Sequence, residues 1–168
     1  MSPTLTVLPA TEGDLPLILG FIEDLADYER LRDKCVATED KLRRTLFGER
    51  PQAEVLIARI DGEPAGFALF FHSYSTFLAQ HGLYLEDVFV KPWARKSGVG
   101  RALMAHVARI AIERDCGRFD WSVLDWNELA IGFYRGLGAV ALDDWTTFRL
   151  SGDALRSLAA ESRERSTS

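Results

Sequence analysis

The stretch from Tyr84 to Gly100 reads YLEDVFVKPWARKSGVG, and it joins a strand pattern to a basic, glycine-rich turn. Apolar residues dominate its first half, and this pattern predicts a strand over Leu83–Val90. Side chains alternate between the two faces of a strand. The alternation predicts one face with Tyr84, Glu86 and Val88, and the other with Leu85, Asp87 and Phe89. Two adjacent carboxylates therefore lie within an otherwise apolar strand.

A helix is expected directly after the glycine-rich turn. The segment Gly100–Arg114 carries an apolar stripe at helical spacing, formed by Leu103, Val107, Ile110 and Ala111. A further strand pattern covers Phe119–Leu124. Because strand–helix–strand units within one sheet are almost always right-handed parallel crossovers, we expect the strands at Leu83 and Phe119 to run parallel.

The chain before Tyr84 contributes a strand, two helices and a hairpin. The predicted elements are a strand at Leu5–Leu8, a helix from Leu15, a helix from Thr38 to near Gly48, and strands at Glu54–Ile60 and Glu63–Phe71. Thr11 and Asp14 are candidate caps of the first helix, and Thr38 is the candidate cap of the second. The dipeptide Asp61-Gly62 is typical of a two-residue hairpin turn.

The chain after the crossover is predicted to hold one helix and a hairpin. Asn127 can cap a helix that runs to Arg135 and ends at Gly136–Gly138. A final β-hairpin is expected over Ala139–Leu150, with its turn near Asp143-Asp144. The element order is then β-αα-βββ-α-β-α-ββ, which indicates a mixed α/β fold with helices on both faces of a central sheet.

Length, charge and cysteine content limit the function classes. The 168 residues suit a single domain, which we expect over residues 1–152, followed by a short helical or frayed tail over 153–168. The net charge of −5 disfavours nucleic acid as a partner. Cys35 and Cys116 form no CxxC pattern, so neither a disulfide nor a zinc site is expected. Without a leader pattern or an apolar run of about 20 residues, the sequence predicts a cytoplasmic protein that does not bind membranes.

The turn Arg95-Lys96-Ser97-Gly98-Val99-Gly100 has the features of an anion site. The first N–H groups of a helix lack partners, and the helix dipole adds positive charge there. The pattern is not a P-loop, because no Gly-Lys-Ser/Thr follows. It is not a dinucleotide fingerprint, because Leu103 stands where a third glycine or alanine belongs. From this hexamer alone, a plain strand-to-helix loop remains an alternative.

The turn also resembles a known signature. Arg95-x-x-Gly98-x-Gly100, reached through V-x-P-x-x-R, is similar to the acetyl-CoA-binding motif of the GCN5-related N-acetyltransferases, the GNAT superfamily. That family shares the element order above and has a largely antiparallel central sheet. The resemblance implies acetyl-CoA as co-substrate, with its pyrophosphate held by Arg95, Lys96, Ser97, Gly98, Val99, Gly100 and Arg101.

A second motif lies on the predicted fourth helix. Asn127 and Tyr134 are seven residues apart, close to two helical turns, so they share a face. From the residues alone, the simpler interpretation is favoured, in which Asn127 is only a cap and Tyr134 is an ordinary half-buried aromatic. The pattern N-x-x-x-x-x-x-Y-x-x-x-G is similar to the family's fourth-helix motif. That resemblance implies that Asn127 contacts the pantetheine arm and that Tyr134 lies near the thioester sulfur.

Longer segments resemble the diamine (spermidine/spermine) N-acetyltransferase branch of the family. These segments are LYLEDVFV, WNELAIGFYRGLGA and, at Leu25–Glu29, LADYE. The resemblance implies acetyl transfer to the primary amine of a small cationic substrate, by direct attack in a ternary complex. It also implies a homodimer. Trp145 and Phe148 on the predicted last hairpin are candidate interface residues, with a place in the core as the alternative.

Acetyl transfer to an amine sets the roles of the site residues. An alkylamine has a pKa of about 10, so a base or a water chain must take its proton. The resemblance implies Glu86 as this base, acting through water, and Tyr134 is the candidate general acid for the departing sulfur. The main chain of Val88, Phe89 and Val90 is expected to pair with the pantetheine arm and to supply an oxyanion donor.

The predicted substrate anchors are acidic and aromatic residues, namely Tyr28, Glu29, Glu86 and Asp87. For Glu29 and Asp87 a solvated surface carboxylate is the alternative. The polyamine enzymes carry an aspartate and a tryptophan where this chain has Ser73–Phe77, which favours a shorter amine such as a diamine, a lysine-like amino acid or thialysine. His72 and His81, near this segment, are expected to be solvated, and no metal is predicted.

Other functions remain alternatives at this point. One is acetylation of a protein N-terminus, a peptide or an antibiotic. The other is a non-catalytic acyl-CoA sensor, which the presence of both Tyr134 and Glu86 disfavours.

Overall fold

The structure is a computed structural model, and it describes residues 1–164. The chain separates into two compact units, Met1–Ser122 and Val123–Ser168. The tail predicted at 153–168 therefore belongs to the second unit, and its last four residues, 165–168, lie outside the described residues.

A five-stranded sheet forms the centre of the first unit. Its strands are β1 (Leu5–Pro9), β2 (Glu54–Ile60), β3 (Glu63–Ser75), β4 (Gln80–Val90) and β5 (Phe119–Trp121). They lie side by side in this order, with β1 to β4 antiparallel and β5 parallel to β4. The predicted mixed α/β class with a largely antiparallel sheet is confirmed, as is the parallel pairing across the crossover. The fifth strand is shorter than the predicted Phe119–Leu124.

The hairpin turns of the sheet follow from local chemistry. Asp61 and Gly62 have φ of 50° and 85°, the left-handed pair that a two-residue hairpin requires. β3 and β4 extend beyond their predicted ends and are joined by a turn at residues 76–79. The segment Ser73–Phe77, predicted as a loop, is therefore the end of β3 and the start of this turn.

Three helices pack on the sheet: α1 (Leu15–Tyr28), α2 (Glu39–Leu46) and α3 (Val99–Glu113). Each begins where the sequence predicts, to within one residue. The Thr38 hydroxyl accepts the N–H of Lys41 at 3.2 Å, which satisfies one free donor at the start of α2. The Asp14 carboxylate accepts the N–H of Thr11 at 2.8 Å just before α1.

The sheet is buried on both faces. On one face α1 and α2 cover it, and the Phe21 ring stacks on the Phe67 ring at 5.2 Å. On the other face α3 approaches closely at Gly66, where an added Cβ would lie 3.2 Å from Val99 and 3.3 Å from Leu103. Burial of one large apolar side chain contributes about 1.5–3 kcal/mol, so these two layers hold the sheet in place.

A β-bulge interrupts β4 at Glu86. Across the β3–β4 pair, Asp87 lies opposite Leu69, whereas Leu85 lies opposite Phe70, so no residue of β3 lies opposite Glu86. Paired residues share a face of the sheet, and one extra residue reverses the alternation. Leu85 therefore faces α3, and Asp87 faces α1. The sequence predicts that Leu85, Asp87 and Phe89 share one face and that Tyr84, Glu86 and Val88 share the other. Both predictions are wrong, because the bulge reverses the alternation.

The second unit contains α4 (Glu128–Gly136) and α5 (Gly152–Glu164). Gly138 has φ of 92°, consistent with the predicted end of α4. The hairpin predicted over Ala139–Leu150 is wrong: a turn occurs at 143–144, but residues 139–150 contain no strand. An isolated two-stranded hairpin is marginally stable in water, and the described part of this unit offers no other strand to pair with it. Across residues 1–164, no helix is both long and apolar enough to cross a bilayer.

Candidate acetyl-transfer site

An open strand edge lies at the centre of the first unit. β5 pairs with β4 only at residues Leu83 to Leu85. From Glu86 to Val90, β4 keeps β3 on one edge, and no strand within residues 1–164 pairs with the other edge. The short β5 leaves this half of β4 without a strand on the second edge, and the bulge at Glu86 lies where the β5 pairing stops.

The main chain of β4 presents polar groups at this open edge. Lys91 N–H donates to Ala65 O at 2.8 Å, in the direction of β3. Because main-chain groups alternate between the two edges of an antiparallel strand, those of Val88 and Val90 point away from β3. At this open edge, the Val90 carbonyl accepts a hydrogen bond from Arg95 Nε at 3.2 Å. Phe89 instead directs its main chain toward β3 and its ring into the core, so it does not share the open edge.

Three carboxylates lie together beside the open edge. Glu29 follows the last residue of α1, and its N–H donates to Leu25 O at 2.9 Å. Burial, and then the charges of Glu86 and Glu29, raise the pKa of Asp87 to about 7. Burial, and then the charge of Glu86, also raise the pKa of Glu29. Negative charge is therefore concentrated at this point of the site, so the cluster is suited to a cationic ligand.

Burial and neighbouring charge distinguish the surroundings of Asp87 from those of a solvated surface carboxylate. A freely solvated carboxylate keeps a pKa near 4. Asp87 is half-buried, and its raised pKa requires neighbouring negative charge as well as desolvation. The alternative that Asp87 is a solvated surface carboxylate does not describe this environment.

Aromatic rings form the floor beside the carboxylates. The Tyr28 and Phe89 rings lie 6.3 Å apart, and the Arg95 guanidinium lies over both, at 5.1 Å and 5.8 Å from the ring centres. Cation–π attraction of this kind orients the arginine. The sequence predicts Tyr28 beside the substrate and Arg95 beside the phosphate. Their contact with each other is not predictable, because sequence spacing carries no signal for it.

The turn after β4 has the geometry of an anion cradle. Lys96 and Gly98 have positive φ of 64° and 84°, and Gly98 precedes the first residue of α3. Within residues 1–164, the main-chain N–H groups of residues 96–101 donate no hydrogen bond to the protein. The next N–H group, that of Ala102, donates to Gly98 O at 2.9 Å. The Ser97 hydroxyl donates to Ala94 O. Six consecutive donors at a helix start fit a phosphate group.

Two predicted site residues belong to the second unit. The Asn127 side-chain oxygen accepts the N–H of Ala130 at 3.2 Å and thereby caps α4. Tyr134 lies seven residues further along this helix, half-buried, with its ring 5.5 Å from the Phe133 ring. The predicted cap is confirmed, and the spacing places both residues on one side of α4.

Comparison with known proteins shows the family. A sequence profile of the Acetyltransferase (GNAT) family matches residues 21–139. The chain is 40% identical over 163 residues to thialysine N-epsilon-acetyltransferase of Sus scrofa, with 90% of this chain and 95% of that protein covered. It is 33% identical over 194 residues to L-ornithine N5-acetyltransferase NATA1 of Arabidopsis thaliana, with 89% and 85% covered.

A solved structure supports the same placement. An integron cassette protein from the mobile metagenome of V. cholerae superimposes with a TM-score of 0.78 at 28% identity, covering 92% of this chain and 97% of that one. The fold, the predicted signature turn and these relatives agree. The chain belongs to the Acetyltransferase (GNAT) family and is an acyltransferase enzyme.

Proposed function

We propose that this enzyme transfers the acetyl group of acetyl-CoA to the terminal primary amine of a short, lysine-like substrate, with thialysine and ornithine as the reference compounds. The observation that carries the proposal is the cluster of Glu29, Glu86 and Asp87 beside the open edge of β4. An amine with a pKa of about 10 is cationic at neutral pH, and this cluster attracts it.

The relatives support a short substrate. The proteins from Sus scrofa and Arabidopsis thaliana are named for thialysine and ornithine, amino acids with one side-chain amine each. This chain also has no carboxylate within Ser73–Phe77. A polyamine with several positive centres would gain little from that segment, whereas a substrate with one reacting amine needs only the cluster at β4.

The residues at the open edge suit acetyl-CoA. In this proposal the free N–H groups of residues 96–101 bind the pyrophosphate, and the exposed Lys96 and Arg101 add charge. The main chain of Val88 and Val90 pairs with the pantetheine arm, and an N–H of this edge accepts the charge that develops on the thioester oxygen. Asn127 contacts the same arm.

Proton transfer follows from the placement of the carboxylates. Glu86 accepts the amine proton through water, and Asp87, whose pKa is raised to about 7, helps to hold the amine close by. The amine nitrogen forms the new bond to the carbonyl carbon, and the carbon–sulfur bond breaks. Tyr134 donates its phenol proton to the departing sulfur. No metal takes part in these steps.

We also propose that residues 1–152 act as one acetyltransferase domain and that the enzyme is a homodimer. The family profile spans residues 21–139 and so includes parts of both compact units. Trp145 and Phe148 are 80% and 92% exposed in the single chain. Exposed aromatic side chains of this size are typical of an interface, and a second copy of the chain is the proposed partner.

A panel of amines tests the substrate class. Purified enzyme is assayed for CoA release with thialysine, lysine, ornithine, putrescine, spermidine, spermine, an aminoglycoside and a peptide N-terminus. We expect the highest kcat/KM with the lysine-like amino acids. Higher kcat/KM with spermine, the peptide or the aminoglycoside would contradict the substrate assignment, and acetyl-CoA binding without turnover on any amine would favour the sensor.

The variant Tyr134→Phe separates chemistry from binding in the same assay. Loss of a general acid lowers kcat by about 10²–10⁴-fold, and the affinity for acetyl-CoA should stay unchanged. Phe133→Leu, at the neighbouring position of α4, is the matched control. Unchanged turnover in Tyr134→Phe would refute the acid role.

A further inference from the structure

Two histidines and a cysteine meet at the end of the sheet opposite the acetyl-transfer site. His72 lies on β3, His81 lies on β4, and Cys116 follows α3. One ligand atom from each residue lies within 4.8 Å of the other two. His72 and His81 are exposed and Cys116 is partly exposed, so an ion from solvent can reach all three. The exposure of the two histidines agrees with the sequence expectation that they are solvated, whereas their proximity to Cys116 has no signal in the sequence.

The strand register brings the two histidines together. His72 lies opposite Leu83, and His81 lies opposite Tyr74, so both side chains are on the same face of the β3–β4 pair. Their rings are 5.2 Å apart in an edge-on arrangement. Paired strands fix this distance, because neighbouring diagonal positions in a sheet lie within reach of ring side chains.

The end of α3 places the cysteine beside them. Asp115 has φ of 56°, which ends the helix and turns the chain back toward the sheet. Cys116 N–H then donates to Ala111 O at 2.8 Å, and Gly117 N–H donates to His81 O at 3.0 Å. These two main-chain hydrogen bonds fix the position of Cys116, and the second of them is to His81, a residue of the cluster.

Hydrogen bonds prepare the His81 ring for a metal. His81 Nε2 lies 2.7 Å from the carbonyl oxygen of Arg114, so Nε2 carries the proton and donates it. Nδ1 then keeps its lone pair. A ring N–H donated to a main-chain carbonyl is the usual way in which a metal-binding histidine is oriented.

The charge of the nearby arginine is partly offset. Arg114 Nη1 lies 3.4 Å from His72 Nε2, and because a guanidinium only donates, zinc binding at this nitrogen would replace that long contact. The guanidinium also forms two hydrogen bonds with the Glu54 carboxylate, at 2.6 and 2.7 Å. This bidentate pair offsets the charge of Arg114 next to the cluster.

We propose that His72, His81 and Cys116 form a binding site for a zinc ion, with water as the fourth ligand. Imidazole and thiolate are the ligands that zinc prefers, in tetrahedral geometry with Zn–N of about 2.0–2.1 Å and Zn–S of about 2.3 Å. The three ligand atoms then move about 1 Å closer together, which side-chain rotation allows at an exposed site. The Cys116 S–H bond breaks, the sulfur electron pair binds zinc, and the proton passes to water.

This site is separate from the acetyl-transfer site. His81 precedes Asp87 by six residues on β4, a distance of about 20 Å along the strand. Bound zinc connects the ends of β3, β4 and α3 and does not touch the proposed reacting groups. Zinc binding at this site is therefore independent of the proposed function, and its test needs no substrate.

The chain provides its own matched controls, since it has only two cysteines and three histidines. The test variants are Cys116→Ser and His81→Asn, and the controls are Cys35→Ser and His106→Asn. His106 is already engaged through Nδ1 with Ala102 O at 2.8 Å. Each protein is freed of metal by a chelator and titrated with zinc against a chromogenic competitor, and its melting temperature is measured with and without zinc.

We expect one zinc per chain in the unaltered protein and in both controls, with a higher melting temperature when zinc is bound. Removal of an outer-shell partner lowers metal affinity by about 10–100-fold. Each test variant removes a direct ligand, so its zinc affinity should fall by more than this. Equal affinity in Cys116→Ser, or no zinc binding by the unaltered protein, would overturn the proposal.

Cobalt provides a readout that does not depend on the folding of the test variants. In Cys35→Ser, Cys116 is the only thiol, so a thiolate-to-cobalt absorption band must come from Cys116. We expect this band together with the visible spectrum of tetrahedral cobalt. Its absence at saturating cobalt would overturn the thiolate assignment.

Discussion

The two halves of β4 are built differently. The first half runs from Gln80 to Leu85; at Leu83–Leu85 it has strand neighbours on both edges, and Leu83 and Leu85 are 0% and 2% exposed. From Glu86 to Val90 it has a neighbour on one edge only, and carboxylates lie beside it. The closed half therefore stabilises the sheet, whereas the open half leaves main-chain groups and charges available to ligands. The bulge at Glu86 separates the two.

The largest expected effect is on catalysis in the open half. Replacing Glu86 with Gln removes the proposed base, and kcat/KM for thialysine should fall by about 10²–10⁴-fold. The side chain is exposed, so the free energy of unfolding should stay close to that of the unaltered enzyme. Initial rates and urea unfolding measure the two quantities.

Glu63→Gln, an exposed glutamate at the start of β3, is the control for Glu86→Gln. It should leave both rate and stability unchanged. If Glu86→Gln were as active as this control, the open half of β4 would not supply the base.

The closed half should respond in the opposite way. Leu85→Ala removes a buried side chain from between β4 and α3, and the free energy of unfolding should drop by about 2–5 kcal/mol. Leu8→Ala on β1 is the matched control, because Leu8 is 58% exposed and the chemical change is the same. Urea unfolding of both variants is the measurement. Similar losses at the two positions would contradict the division of β4.

A smaller effect concerns the pH dependence of stability. The pKa of Asp87 is about 7 in the folded protein and about 3.9 when unfolded. Between these values the folded state binds more protons, so Asp87 makes stability fall as pH rises through this window. Glu29 and Glu86 face the same carboxyl group, and the raised pKa of Glu29 acts in the same direction.

Asp87→Asn should therefore raise the melting temperature at pH 8 relative to the unaltered enzyme, and this gain should shrink toward pH 4. Melting curves across this range measure it, with Asp144→Asn, an exposed aspartate, as the control. A gain that is the same at both pH values would show that ionisation of the buried Asp87 carboxyl beside Glu86 and Glu29 is not its cause.

Much of the first unit was predictable because its signals are local. The caps at Thr11–Asp14 and Thr38, the Asp61-Gly62 turn and the apolar stripe of α3 all depend on neighbouring residues. The prediction of a hairpin at Ala139–Leu150 was wrong for the opposite reason. Its alternating apolar residues and its turn are local, but a strand also needs a partner, and residues 139–150 pair with none within the described chain.

The site shows the same limit. The signature turn and the Asn127 cap were readable as motifs, because each acts through its own main chain. The face of Asp87, the stacking of Arg95 on Tyr28 and the meeting of His72, His81 and Cys116 were not. Each depends on residues from different elements, and their contact is set by strand register.

The sequence by itself determined the elements, the family signature and the presence of adjacent carboxylates in one strand, because periodicity and turn chemistry are properties of short segments. Only the tertiary structure decided which way those carboxylates face. One bulge residue reverses the alternation of β4, and the short β5 leaves its second half unpaired. Both features result from pairing between strands that are distant in the sequence. This pairing places the Glu86 and Asp87 carboxylates beside an open strand edge.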